Sequence, residues 1–190
     1  NFYEKKFLIY GTILEFKFFQ TPKKIADEAM SNVIAQLNEL NSIFHPWQNS
    51  LIEEFNNNPN ATICDEQQIQ MINKAFYYEK LTHGYFNPAI GALIKEWGFH
   101  ADEITKTTPD YSLIEKILNS RPSLNQLNLK KGCFEKINHY LQIDLGGIIK
   151  GHALDLAKAE YQKLNIKNVL TNFGGNIYAH GHPKNRFWEV

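Results

Sequence analysis

The sequence predicts a layered α/β domain, and two patterns carry that expectation. Ile25, Ala29, Val33, Leu37, Leu40 and Phe44 recur at steps of four and three, which is one apolar stripe on a long helix. The last third then reads strand, glycine pair, helix, strand, glycine pair, strand. At 190 residues the chain is long enough for a single domain with a sizeable core. Its 43% hydrophobic, 13% aromatic and 21% charged residues are those of an ordinary soluble globular protein.

Taken in order, Phe7 to Phe19 alternates around Gly11-Thr12 and reads as a strand pair or one bent strand, with Gly11 at the bend. Thr21-Pro22 supplies a helix N-cap and a proline at the first helical position. The striped helix follows and Pro46 closes it. The polar stretch Asn56-Asn57-Asn58-Pro59-Asn60 reads as a loop. Asp65 caps a second helix carrying Ile69, Ile72, Ala75 and Phe76 on one face and ending near Gly84. Thr105 to Pro109 is a further polar loop. A shorter helix around Tyr111 to Leu118 and a strand or hairpin around Gly132 come next. Tyr140 to Leu145 alternates as a strand should, Gly146-Gly147 leads into a helix with Ala153, Leu154, Ala157 and Tyr161 on one face, and Val169–Phe173 and Asn176–Ala179 flank Gly174-Gly175 as strands.

Twenty basic residues balance twenty acidic ones, and a net charge of zero argues against a dedicated nucleic-acid binder. Cys64 and Cys133 are distant in sequence and carry no metal-site spacing, so two free thiols are expected. No apolar run approaches the roughly 18 residues of a membrane span. The opening Asn-Phe-Tyr-Glu-Lys-Lys has neither an initiator Met nor a signal-peptide pattern, as in a mature or trimmed form.

A strand leading through two glycines into a helix is a physical recipe for anion binding, since helix-start N–H groups are free and glycine lets a phosphate approach them. Gly146-Gly147 has that form, although a tight strand-to-helix turn has it too. Asp144 ends the strand. Lys150 lies in the first turn of the helix, where the macrodipole disfavours a cation unless an external anion answers it. Gly174-Gly175 reads as a structural bulge or as a close backbone approach by a ligand. In Tyr85-Phe86-Asn87-Pro88-Ala89-Ile90-Gly91 a polar side chain before small residues is suited to a flat ligand. Trp47 is suited either to stacking on a ring or to the core. His180 and His182 flank Gly181 in a surface turn rather than a metal site.

Taken together and in order, these motifs resemble the ApbE family of FAD:protein FMN transferases. Asp144-Leu145-Gly146-Gly147-Ile148-Ile149-Lys150-Gly151-His152-Ala153-Leu154-Asp155 is similar to the family's Asp-Leu-(Ser/Gly)-x-x-x-Lys-Gly-(Tyr)-Ala-x-Asp signature. Asn172-Phe173-Gly174-Gly175-Asn176 resembles its Gly-Gly-(Asn/Asp/Glu) turn, and Arg186-Phe187-Trp188-Glu189-Val190 its Arg-x-Trp-x-Val pattern. Phe86 to Gly91 and Trp97-Gly98-Phe99 resemble the Phe-Asp-(Val/Pro)-(Thr/Ala)-x-Gly and Leu-Trp-Gly-Phe segments. Trp47, Ser50 and Phe55-Asn56, with Gly11-Thr12 upstream, complete the series.

The resemblance implies an α+β fold of the ApbE, T-fold-like type, with a mixed sheet packed by helices in one domain over residues 1–190. It implies bound FAD lined by Tyr10, Trp47, Asn87, Pro88, Ala89, Asp144 and Lys150, with Asp144 and Lys150 as positioning residues. It also implies a magnesium ion (Mg2+) held in part by the backbone carbonyl of Gly147. The implied reaction is transfer of FMN from FAD to a Thr or Ser hydroxyl of an acceptor flavoprotein, with release of AMP. A periplasmic or lipid-anchored setting goes with it. Tyr10 stands where the family commonly has Met. The family's His-x-x-Asp-Pro segment and the Asp and Thr that complete the metal site are absent from these 190 residues, so the chain is expected to be truncated at its C-terminus and inactive alone. Three other readings of the same residues stay open: an FAD-binding module, an FAD pyrophosphatase that releases AMP without an acceptor, and a purely structural or partner-binding domain.

Overall fold

The computed structural model describes residues 2–101, 108–184 and 186–190, and shows an α+β protein. By internal contacts the chain forms two compact units, residues 1–39 with 148–190, and residues 40–147; the divisions fall inside two helices, α1 (Lys23–Phe44) and α6 (Gly146–Lys163).

The first unit is built on a four-stranded antiparallel sheet of β1 (Phe2–Ile9), β2 (Thr12–Phe19), β6 (Val169–Phe173) and β7 (Asn176–His180), in the order β1-β2-β6-β7. The two strands foreseen around Gly11 are β1 and β2. Tyr10 and Gly11 form the two-residue turn between them, both at positive φ (49° and 70°), which suits the twist of a tight hairpin. Leu14, Phe16 and Phe18 alternate on the buried face of β2. Phe18 meets Tyr161 of α6 edge-on at 6.0 Å, and the Tyr161 hydroxyl is bonded to Thr171 of β6 at 2.6 Å. From α1, Ala26, Ala29, Met30, Val33 and Leu37 are buried, so the apolar stripe is core as its spacing requires. The helix starts one residue later than Thr21-Pro22 suggests: Pro22 offers the first helical carbonyl, to Ala26, while the buried Thr21 hydroxyl turns back to Phe19. Gly174 and Gly175, expected as a bulge, instead close the β6–β7 hairpin as a two-residue turn with φ of 56° and 90°. A Cβ on Gly174 would lie 2.6 Å from the Thr12 hydroxyl, so the turn has room only for glycine there.

The second unit contains α2 (Leu51–Asn57), β3 (Thr62–Ile63), α3 (Glu66–Leu81), α4 (Gly91–Glu96), α5 (Tyr111–Ser120), β4 (Leu127–Lys130) and β5 (Cys133–Lys136). Its small sheet is antiparallel in the order β3-β5-β4. Asp65 caps α3 by accepting from the Gln68 N–H, as expected. Asn56 and Asn57, expected in a loop, belong instead to α2, because Ser50 caps that helix by accepting from the Glu53 N–H and Ile52 and Phe55 are buried. Of the loop expected over Thr105 to Pro109, residues 105–107 lie outside the described residues.

Two further expectations are overturned. Cys64 and Cys133 are not free thiols but a disulfide. The register Thr62↔Glu135 and Ile63↔Phe134 brings the next residue of each strand, Cys64 and Cys133, face to face, with Cα atoms 4.3 Å apart. Spacing along the chain carries no trace of that pairing. Tyr140–Leu145 alternates in burial, with Leu141, Ile143 and Leu145 fully buried, yet it is a strand of neither sheet. It makes one isolated parallel bridge, Gln142 with Ile90, and the backbone groups of Ile143 turn to a side chain described below.

The disulfide closes a separation of 69 residues within the second unit, so reduction or Cys64→Ser is expected to cost about 2–4 kcal/mol. Thermal unfolding with and without reductant measures it, and an unchanged midpoint would show that the bond does not form.

Candidate functional site

Within the second unit, three short segments meet at Asp144. Asn56, buried at the end of α2, donates through Nδ2 to the Ile143 carbonyl (2.8 Å) and accepts from the Ile143 N–H through Oδ1 (2.6 Å). One side-chain amide thus does for Ile143 what a neighbouring strand would do. On the other side, the Asp144 N–H donates to the Pro88 carbonyl and the Gly91 N–H to the Gln142 carbonyl, both at 2.8 Å. A Cβ on Gly91 would stand 2.8 Å from that Gln142 oxygen, so the close approach needs glycine. The loop before it is tied by Asn87, whose Nδ2 donates to Pro122 and whose Oδ1 accepts from Ala89.

The Asp144 side chain is only 12% exposed. Its Oδ1 accepts from the Gly146 N–H (2.8 Å) at the start of α6, and its Oδ2 lies 2.8 Å from Nε2 of His100. Burial alone would push the carboxyl up. The hydrogen bonds from His100 and Gly146, with the charges of His100 and His45, outweigh burial and hold it below the usual carboxylate range. An ionised carboxylate only accepts, so Nε2 of His100 carries the shared proton. The His100 ring stacks on Trp47 (centroids 4.9 Å, 23° between planes), and His45 meets the same indole edge-on at 4.4 Å. The Ser50 hydroxyl donates to the His45 carbonyl and the Trp47 N–H to His45 Nδ1, which fixes the turn that carries the indole. Trp47 Nε1 is buried and, among the described residues, has no hydrogen-bond partner.

Of the residues singled out from the sequence, Trp47, Asn87, Pro88, Ala89, Asp144 and Gly147 therefore fall in this unit. Pro88 and Ala89 are buried, and both ends of the Asn87 amide already hold a protein partner. Gly147 lies against Phe86, where a Cβ would come 2.9 Å from the ring. Trp97 and Phe99 are exposed. Tyr10 and Lys150 belong to the first unit. Tyr10 caps the β1–β2 turn with its hydroxyl donated to Asn38 (2.5 Å), and burial raises its pKa. Lys150 is half-buried on α6. His100 and Asn56 are the residues that motif reading passes over in any role of their own. Asn56 had one signal, an amide beside buried Phe55 before a Pro-containing turn; His100 had none.

No group of three or more His, Cys, Asp or Glu side chains among the described residues is placed to hold a metal ion. Magnesium takes few protein ligands and keeps waters and substrate phosphates instead. Such an ion would take a backbone carbonyl as one of its hard oxygen donors. No described helix is long and apolar enough to cross a membrane.

The family model described as "ApbE family" matches residues 10–190. The chain is 28% identical over 191 residues to the FAD:protein FMN transferase of Rhodobacter capsulatus, which covers 97% of this chain and 36% of that protein. Among solved structures, apo flavinyl transferase ApbE from Pseudomonas stutzeri superposes with a TM-score of 0.85 at 19% identity, covering 100% of this chain and 61% of that one. The ApbE protein of Thermotoga maritima gives 0.81 at 24% identity, covering 94% and 59%. The chain thus spans from about a third to three fifths of the length of these relatives.

Asn56→Ala leaves the Ile143 N–H and C=O buried without partners and is expected to lower stability by about 2–4 kcal/mol, read by urea unfolding. Because the folded Asp144 carboxyl sits below its unfolded value of about 4, its contribution is fully present above that pH and is lost as pH falls through the lower folded value. The stability gap between the wild type and Asp144→Asn should therefore be constant from pH 5 to 7 and close below about pH 4. A gap that persists at low pH would contradict the assignment.

Proposed function

Because the chain belongs to the ApbE family, we propose that it binds FAD and that the protein it forms transfers FMN from FAD to an acceptor flavoprotein. The observation that carries this reading is the polar and aromatic cluster in the second unit. A buried indole N–H without a partner among the described residues and an ionised carboxylate at a helix start stand one ring contact and one hydrogen bond apart, linked by His100. An unpartnered buried donor costs about 1–3 kcal/mol and is recovered when a ligand supplies the acceptor.

In this reading Trp47 offers indole surface and an N–H to a flat ring, the Asn87–Ala89 loop shapes the wall, and Asp144 orients the ligand. Tyr10 and Lys150 are proposed as further FAD contacts on the family motif. A Thr or Ser hydroxyl of the acceptor attacks the phosphorus of the FMN half, the P–O bond to AMP breaks, AMP leaves, and the hydroxyl proton passes to solvent. Asp144 and Lys150 position FAD and are not an acid–base pair. Bound magnesium, with Gly147 as one ligand, supplies charge neutralisation at the pyrophosphate. The Cys64–Cys133 bond supports an oxidising compartment such as a periplasm, and a lipid anchor is proposed with it.

Titration of FAD by flavin fluorescence is the direct test. The wild type should bind, and Asp144→Ala should bind at least about tenfold more weakly, as expected on losing a charged hydrogen-bonding group. A folded wild type that leaves flavin fluorescence unchanged would refute the reading. In the protein as the cell makes it, covalent flavin on the acceptor identifies transfer, and AMP release without any acceptor identifies a pyrophosphatase.

A further inference from the structure

His100 lies outside every motif that points to flavin, yet the site converges on it. Its side chain is 3% exposed, less than that of Asp144 itself. Two different surfaces of the ring are in use. The edge at Nε2 is bonded to Asp144 Oδ2, and the face is stacked on Trp47. The two residues most exposed to the ligand in the proposed reading, a stacking indole and an orienting carboxylate, come from the loop after α1 and the segment before α6. This imidazole contacts both of them. The other imidazole of the cluster is His45, which meets the same indole edge-on.

We propose that His100 is a positioning residue of the FAD site, which aims the Asp144 carboxylate through Nε2 and holds the Trp47 indole through its ring face. This rests on the FAD-binding reading above. Asp144 has two oxygens and each has one fixed donor, Gly146 N–H and His100 Nε2–H, so the carboxylate cannot rotate without breaking one of them. The acceptor lone pairs left over then point in set directions. The imidazole also fills the indole face it covers. An incoming ring therefore has no access to that face of Trp47.

The experiment separates the two surfaces of the ring. His100→Phe keeps an aromatic face for Trp47 and loses the bond to Asp144, while His100→Gln keeps a donor and loses the face. FAD affinity is measured by flavin fluorescence for both, in the wild-type and the Asp144→Asn backgrounds, with thermal midpoints taken alongside. Expected are a roughly tenfold loss for His100→Phe, recovery to within about threefold for His100→Gln, and no further loss from His100→Phe in Asp144→Asn. A role in packing alone would give the same loss in both backgrounds and would overturn the proposal, as would a His100→Phe protein that binds FAD like the wild type. Should His100→Phe fail to fold, His100→Leu, which also loses the bond to Asp144, is compared in the same two backgrounds. A wild type that binds no FAD overturns the functional reading and this inference together, whereas a wild type that binds beside indifferent variants overturns this inference alone.

Discussion

The second unit hangs on one amide. Residues 141–145 bury three large apolar side chains, and such a segment must also satisfy its backbone, which ordinarily calls for a place in a sheet. Here Asn56 offers both a donor and an acceptor to Ile143 at 2.8 and 2.6 Å, and the 88–91 loop takes the neighbouring groups. Freed from strand pairing, the segment can turn directly into α6, with Asp144 left at the junction. Two strand partners in place of the amide and the loop would have flattened that turn and carried Asp144 away from the helix start.

The electrostatics at the junction follow from the same arrangement. A carboxylate taken out of water is disfavoured unless it is hydrogen-bonded and near positive charge. Asp144 has the positive end of α6 through Gly146 on one side and an imidazole on the other. Those partners reverse the effect of burial. The aromatic stack of His45, Trp47 and His100 then ties the orientation of that imidazole to the turn after α1.

Much of the fold was legible because it rests on periodicity. The α1 stripe, the Asp65 cap, the hairpin at Gly11 and the buried face of α6 are all written in residue spacing. What was hidden depends on register or on single side chains. Cys64 meets Cys133 only because β3 and β5 pair as they do. Tyr140–Leu145 has the alternation of a strand because it is half-buried, and alternation reports burial rather than ladder bonding. The site was legible where motifs hold glycine, asparagine and aspartate at set distances. It was illegible at His100, since the partner of a histidine is fixed by packing and not by its neighbours in sequence.

The first unit is assembled from two stretches of sequence, residues 1–39 and 148–190, separated along the chain by residues 40–147. Its central ladder joins β2 to β6, so Phe16 waits for Thr171. Synthesis proceeds from the N-terminus, and domains generally fold as units in that order. Residues 40–147 are thus synthesised whole before the first unit can be completed. The β1–β2 hairpin, made before those residues, leaves β2 an open sheet edge until β6 emerges. Across that interval the unpaired edge of β2 is the place where the first unit is most open to wrong pairing.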